Sequence, residues 1–516
     1  MPYDETDGGT TASRWPRWLM AVTVGVLLIG AVLRFVIQSP LWLDEALSVN
    51  IARLALGDIP DALRQDGHPP LYYVLLHMWI ALFGEGDVAV RSLSGLWGLA
   101  LVPLLWIAGR RMGGTKVAWC AVALVAVSPY ALRYSTETRM YAMVMVLVLV
   151  GWLLIDDALR GPRRHRLAAI AIVAAALLWT HYWAMWLITV VTLALAFQAL
   201  LARRRGELDA VRARLLVIGS FVAGAVLFVP WLPTLLYQGT RTGTPWARPL
   251  RPTEMITTTV ADLGGGAQAE AILLGWIVAI LVLVGAFGRP GVDGGVEFRL
   301  PIHPRTRPFA VAVVGTLAFA CVVGYATGAT YATRYAAAFI PFFLLVAALG
   351  LSRLPRPVDA LVLLAIFGLG LVGAYRNVTL DRSDADRSSD AIEARADDGD
   401  LVVFCPDQLG PSTSRLLDDR FEQVTYPRFA PPELVDWVDY KERLEEASPV
   451  AFAEELLARA EGRQIFLVYS TSYITHTDTC PEVFNALGAV RPPEVLTETE
   501  PVWEPSAVVL FAPPAT

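Results

Sequence analysis

LWLDEALSVN, residues 41–50, sets two carboxylates, Asp44 and Glu45, side by side directly after an apolar run. DGHPPLYY follows with Asp66 and His68, SPYALRYSTETRMYAM with Arg133, Glu137 and Arg139, THYW with His181, and ATYATRYAAAF with Arg334 and Tyr335. A carboxylate suits the removal of a proton from an attacking hydroxyl, and arginines offer fixed donors to an anion such as a phosphate. Successive residues at a helix start point about 100° apart, so Asp44 and Glu45 are not expected to share one role. The paired prolines after His68 donate no backbone hydrogen bond and hold the chain extended, which fixes where Asp66 and His68 point. Taken singly, each charged residue is also what an ordinary solvated loop carries. His77, inside YYVLLHMWIALFG, reads as a packed histidine, and His181 and Tyr182 suit an interfacial aromatic belt as well as a cavity wall.

The elements that must position these residues are membrane helices, because 55% of the chain is apolar or aromatic and only 17% is charged. A hydrocarbon core of ~30 Å needs roughly 20 apolar residues per helix. LMAVTVGVLLIGAVLRFVI is the first such run and, with no small-residue cleavage site after it, reads as an uncleaved anchor. Further spans are expected near 87–109, 117–132, 140–158, 167–183, 185–202, 214–236, 269–288, 309–327, 337–352 and 357–375, about eleven in all. Short loops rich in cations mark the cytoplasmic side. Arg110, Arg111 and Lys116, RGPRRHR, the Arg203 to Arg214 cluster, FGRPGVDGGVEFRLPIHPRTRP, and Arg353 with Arg356 all fall on one side, together with Arg14 and Arg17. That places residues 1–16 in the cytoplasm and the C-terminus outside, and it brings the chemically capable stretches to the outer face. Outer loops are poor in cations, so Arg139 and Arg334 there call for an anionic ligand. The first outer loop, residues 39–86, contains DEALSVNIARLAL and IPDALRQ, whose apolar spacing predicts helices lying along the interface.

The net charge of −6 hides this asymmetry, since acidic residues gather in the tail; no nucleic-acid partner is implied. From residue 377 the composition becomes soluble. LVVFCPD, IFLVYS and AVVLFAP read as short buried strands, and ASPVAFAEELLARAEG as a helix. The expected architecture is a polytopic α-helical module over residues 17–376 with a small extracytoplasmic α/β domain over 377–516. Cys405 and Cys480 lie in an oxidising compartment, where a disulfide and two buried thiols are both open.

LWLDEA after a first membrane helix, DGHPPLYY, ETRMY and a late RY before an apolar helix together resemble the GT-C membrane glycosyltransferases, closest to glycosyltransferase family 39 with its protein O-mannosyltransferases and the aminoarabinose transferase. The resemblance covers most of residues 17–376 and only loosely the tail. It implies sugar transfer, with inversion, from a polyprenyl-phosphate donor to a cell-envelope glycan, glycolipid or secreted protein on the outer face of the plasma membrane. It implies Asp44 as base; Glu45, Asp66, Glu137 and His181 as substrate contacts; and Arg139, Arg334, His68 and Tyr335 at the lipid phosphate. His68 departs from relatives with a lysine there, which makes that charge depend on pH. Mannose is the expected sugar and an arabinose-type pentose the alternative. Arginine far outnumbers lysine amid abundant Ala, Val and Gly, as in GC-rich bacterial genomes. No cofactor is assigned. Asp44, Glu45, Asp66 and His68 supply ligand types for a divalent ion without diagnostic spacing, so a metal stays open. A rival from another class is a transporter for lipid-linked sugars, against which stand the one-sided charges and the lack of paired broken helices. A bare anchor for the tail needs far fewer helices.

Overall fold

The computed structural model describes residues 15–243, 250–291, 295–327 and 331–514; most of the expected cytoplasmic segment 1–16 lies outside them. The chain opens with α1 (Arg17–Leu33), α2 (Leu43–Arg53), α3 (Ile59–Asp66), α4 (Leu71–Phe83), α5 (Asp87–Val127), α6 (Pro129–Ser135), α7 (Tyr141–Arg160) and α8 (Arg164–Thr180). It continues with α9 (Ala184–Arg204), α10 (Leu208–Phe228), α11 (Leu232–Arg241), α12 (Pro252–Gly264), α13 (Ala269–Phe287), α14 (Arg307–Thr327), α15 (Ile340–Arg353) and α16 (Val358–Thr379). A two-stranded ribbon, β1 (Gly288–Pro290) with β2 (Val296–Phe298), separates α13 from α14.

Among the described residues, 7 helices are long and apolar enough to cross a membrane by length and composition, fewer than the expected number. The difference has two sources. The 41-residue α5 is two expected spans in one, broken at Gly113 and Gly114, where Gly114 has φ 82 and ψ −167, a left-handed conformation that favours glycine. The helices α1 and α15, of 17 and 14 residues, fall short of a full span, and α8 has 17. Every expected stretch nonetheless falls mainly on helix. α13 and α15 approach closely because Gly285 and Gly350 stand at their contact. A Cβ on either would lie within 2.0 Å of a carbonyl of the other helix, so only small residues allow the crossing.

The first outer loop folds as expected into α2 and α3, followed by the short apolar α4. Beyond α16, α17 (Ala385–Glu393) leads into a five-stranded sheet of β3 (Leu401–Cys405), β4 (Glu422–Thr425), β5 (Ile465–Tyr469), β6 (Pro493–Thr497) and β7 (Ala507–Phe511) in the order β4-β3-β5-β7-β6. β4, β3 and β5 run parallel, and β7 and β6 add antiparallel. The three strands legible as apolar runs, β3, β5 and β7, are the three central ones; the polar β4 and the exposed edge β6 were not foreseen. Phe452, Leu456, Val483 and Leu487 pack on one face of the sheet, from helices Pro449–Ala460 and Thr479–Gly488, and Ile392 of α17 packs on the other. Cys405 and Cys480 are joined in a disulfide, which resolves the open alternative.

Candidate active site

α2 is the element on which the site is built. Of its 11 residues only Asp44 and Arg53 are not buried, so the helix is fixed on all sides while one carboxylate near its start keeps access to solvent. The Asp44 side chain retains 18% exposure and sits 3.0 Å, Oδ2 to Nη1, from Arg334. Arg334 projects from the 3-10 turn Thr333–Ala338 ahead of α15, whose backbone is held by the Tyr130 hydroxyl donating to the carbonyls of Thr333 and Arg334. Arg139, just before α7, stands 4.0 Å from the same Asp44 oxygen. Its Nη1 donates to Ser48 Oγ at 2.9 Å, to the Asp44 carbonyl at 3.3 Å and to Tyr73 Oη at 3.4 Å. Burial pushes the Asp44 carboxyl up, but Arg334 and then Arg139 outweigh it and leave the group below the usual carboxylate range.

His68 and Asp66 form a second arm. His68 Nδ1 lies 2.8 Å from Asp66 Oδ2, while Arg139 Nη2 donates to His68 Nε2 at 3.1 Å. His68 Nδ1 faces the Asp66 carboxylate and its Nε2 faces the Arg139 guanidinium. His68 thus links Asp66 to Arg139 and helps orient that guanidinium. Asp66 also accepts from Tyr73 Oη at 3.0 Å.

His181, 5% exposed, belongs to the cluster rather than to an aromatic belt. Its ring lies 5.2 Å from Tyr335, 5.7 Å from Tyr141 and 6.4 Å from His68. Tyr335 in turn stacks on Trp183 at 4.9 Å. Tyr182 turns away to Gln238 and Trp231. His77 donates to the Ala52 carbonyl as a packed histidine does.

Glu45 and Glu137 are placed differently. Glu45 is fully buried and receives Arg91 through both oxygens, Nε at 2.8 Å and Nη2 at 2.6 Å, the Thr138 N–H at 2.9 Å, and Arg382 at 3.5 Å. Burial raises the Glu45 carboxyl, yet Arg91 and Arg382 hold it below its usual range. Such a clasp leaves no oxygen for a substrate. Glu137 is buried and bonded to Arg133, which bridges to Asp262. Arg91, Arg382, Ser48, Tyr73 and Tyr141 were missed in the sequence. An arginine inside the apolar DVAVRSLSGLW was the available signal for Arg91; Arg382, in the soluble tail, gave none. Among the described residues the buried Tyr141 hydroxyl has no hydrogen-bond partner.

The carboxylates do not converge on one centre: Asp44 faces Arg334, Glu45 faces Arg91, and Asp66 faces His68 and Tyr73. Among the described residues no group of three or more His, Cys, Asp or Glu side chains is arranged to hold a metal ion.

An apolar cavity of about 720 Å³ runs between α7, α8, α9, α10 and α14. Its lining begins at Leu177, one turn from His181, and Val148, two turns from Tyr141.

Residues 67–233 match the family model for dolichyl-phosphate-mannose-protein mannosyltransferases, a stretch holding His68, Glu137, Arg139 and His181 but neither Asp44 nor Arg334. The crystal structure of ArnT from Cupriavidus metallidurans bound to undecaprenyl phosphate aligns with a TM-score of 0.56 at 15% identity, covering 96% of this chain and 97% of that one. Its apo form aligns with a TM-score of 0.58 at 14% identity over the same shares. Comparison with curated proteins finds no match. The chain has the fold of ArnT, as its ordered motifs imply, and is a multi-pass membrane protein.

Proposed function

We propose that this GT-C chain, of the mannosyltransferase and ArnT type, moves a sugar from a polyprenyl-phosphate donor to a hydroxyl acceptor on the outer face of the plasma membrane. The observation that carries the reading is Asp44, an accessible carboxylate, held 3.0 Å from Arg334 and beside Arg139, with each of the three supplied by a different connection between helices. The ArnT structure with undecaprenyl phosphate supports the donor class, and the apolar cavity below the cluster suits an isoprenoid chain.

In this reading the donor phosphate docks on Arg334 and Arg139. Both guanidiniums are then shared between phosphate and Asp44, which lifts the field that depresses the carboxyl and makes it a better base only once donor is bound. The acceptor oxygen attacks the anomeric carbon from the face opposite the phosphate; its proton passes to Asp44. The carbon–phosphate-oxygen bond breaks and its electron pair leaves on the lipid phosphate, where the two arginines stabilise the developing charge. His68 and Asp66 hold Arg139 in place, and Tyr335, His181 and the unpartnered Tyr141 hydroxyl line the sugar pocket.

Mannose is the first sugar to test, on the matched family model. A pentose of the arabinose type is the second reading, since the likeness to ArnT extends over 96% of the chain. The acceptor is a cell-envelope glycan, glycolipid or secreted protein, and the tail over 377–516 stands outside with it, the N-terminus being cytoplasmic. Purified protein in liposomes, given labelled polyprenyl-phosphate mannose or the aminoarabinose analogue and membrane extract, should consume one donor and label an acceptor. If neither donor is consumed while labelled lipid crosses the bilayer, the protein is a transporter and the reading fails.

A further inference from the structure

The helix that carries Asp44 has no cap of its own. Its N-cap residue, Trp42, makes no side-chain hydrogen bond to the first turn, although the opening N–H groups of any helix lack intrahelical acceptors. The missing acceptor comes from the far end of the chain. The Leu43 N–H, at the first helical position and next to Asp44, donates to Glu504 Oε2 at 3.0 Å across 461 residues of sequence. Glu504 Oε1 accepts from Ser412 Oγ at 2.8 Å. The backbone of Glu504 pairs with the segment Arg382–Asp384, donating to the Arg382 carbonyl at 2.9 Å and accepting from the Asp384 N–H at 3.1 Å. One paired segment of the tail therefore delivers two side chains to one turn of α2, Glu504 to Leu43 and Arg382 to Glu45, with Asp44 lying between.

We infer that Glu504 is a positioning residue for Asp44: it supplies from the far end of the chain the cap that α2 lacks and so fixes the backbone from which the proposed base projects. The inference rests on the reading of Asp44 as proton acceptor. It makes the tail domain a working part of the site, so that transfer depends on tail docking even though the reacting groups all lie in the membrane module. Burial pushes the Glu504 carboxyl up to about 8, so a neutral amide is a fair imitation of it at neutral pH.

The test uses the full chain with Glu504→Ala, Glu504→Gln and the milder Ser412→Ala. A misplacement near 1 Å costs on the order of 100-fold. Glu504→Ala is expected to lower kcat by about 10- to 100-fold with donor KM within about twofold of wild type, and Ser412→Ala to move kcat less in the same direction. Glu504→Gln, whose amide oxygen accepts from Leu43 while its nitrogen donates to Ser412, is expected to restore most of kcat. Amide exchange in the first turn of α2 should quicken in Glu504→Ala and return in Glu504→Gln. Wild-type kcat in Glu504→Ala, or a loss that falls on donor KM, or unchanged exchange at α2, overturns the inference. If wild-type protein transfers no sugar, the reading of Asp44 fails separately, and the exchange rates alone then decide whether Glu504 caps α2.

Discussion

Asp44 and Arg334 form an ion pair that is only partly buried, at 18% and 22% exposure, and a pair of that kind contributes little to stability. Its cost in ordering two side chains is better explained by use than by folding. In Asp44→Asn the amide still fits between Arg334 and Arg139 but cannot take a proton. Transfer should therefore fall by at least about 100-fold, while binding of a labelled polyprenyl-phosphate donor stays near wild type; near-normal turnover would remove the base. Arg334→Ala removes one of the two guanidiniums proposed to hold the phosphate, while Asp44 keeps Arg139 beside it. Donor affinity should drop more than acceptor affinity, by roughly tenfold or more for a charge-assisted contact, measured as separate KM values. Equal loss for both substrates would contradict the phosphate role.

α2 shows what was readable from the sequence and what was not. Its apolar spacing and the carboxylate pair at its start are local signals, so the order of the motifs could be read directly. The separate fates of Asp44 and Glu45 follow from their angular offset, but the assignment of the buried role to Glu45 depends on Arg91 and on Arg382, 337 residues away. No local pattern encodes such a pairing. The same holds for the break at Gly113 and Gly114, where two hydropathy peaks fall on one helical element. Because Glu45 is fully buried against two arginines, removing its charge leaves them uncompensated. Glu45→Gln should destabilise the chain by about 3–5 kcal/mol, read as a lower Tm and lower yield of folded protein. A Tm equal to wild type would show that Glu45 is not the clasp that holds α2.

The membrane module and the tail are stabilised by different physics, and pH can separate them. The bundle is held by close helix packing and arginine clasps that keep their charge over the ordinary range. The tail instead buries two carboxyls whose pKa burial raises. Burial pushes Asp407 up to about 7 and Glu504 up to about 8, against the pull of Tyr440 on the former and Ser412 on the latter. An acid whose pKa is raised by folding contributes stability that is fully present below its unfolded value and is lost as pH rises through the folded one. His476, bonded to Tyr440 and lowered by burial to about 4, has the opposite sign. Its stability is present above the ordinary histidine value and lost as pH falls toward 4, so it titrates outside the alkaline window. Between about pH 6.5 and about pH 8.5 these two carboxyls each weaken the tail by at most about 1.4 kcal/mol per pH unit. The full chain should therefore lose several degrees of Tm across that interval. Asp407→Asn should flatten the lower half of the slope, because the amide keeps the Tyr440 contact without ionising. A wild-type Tm that holds constant or rises from about pH 6.5 to about pH 8.5 would mean that these carboxyls are ionised in the folded tail and that water reaches them.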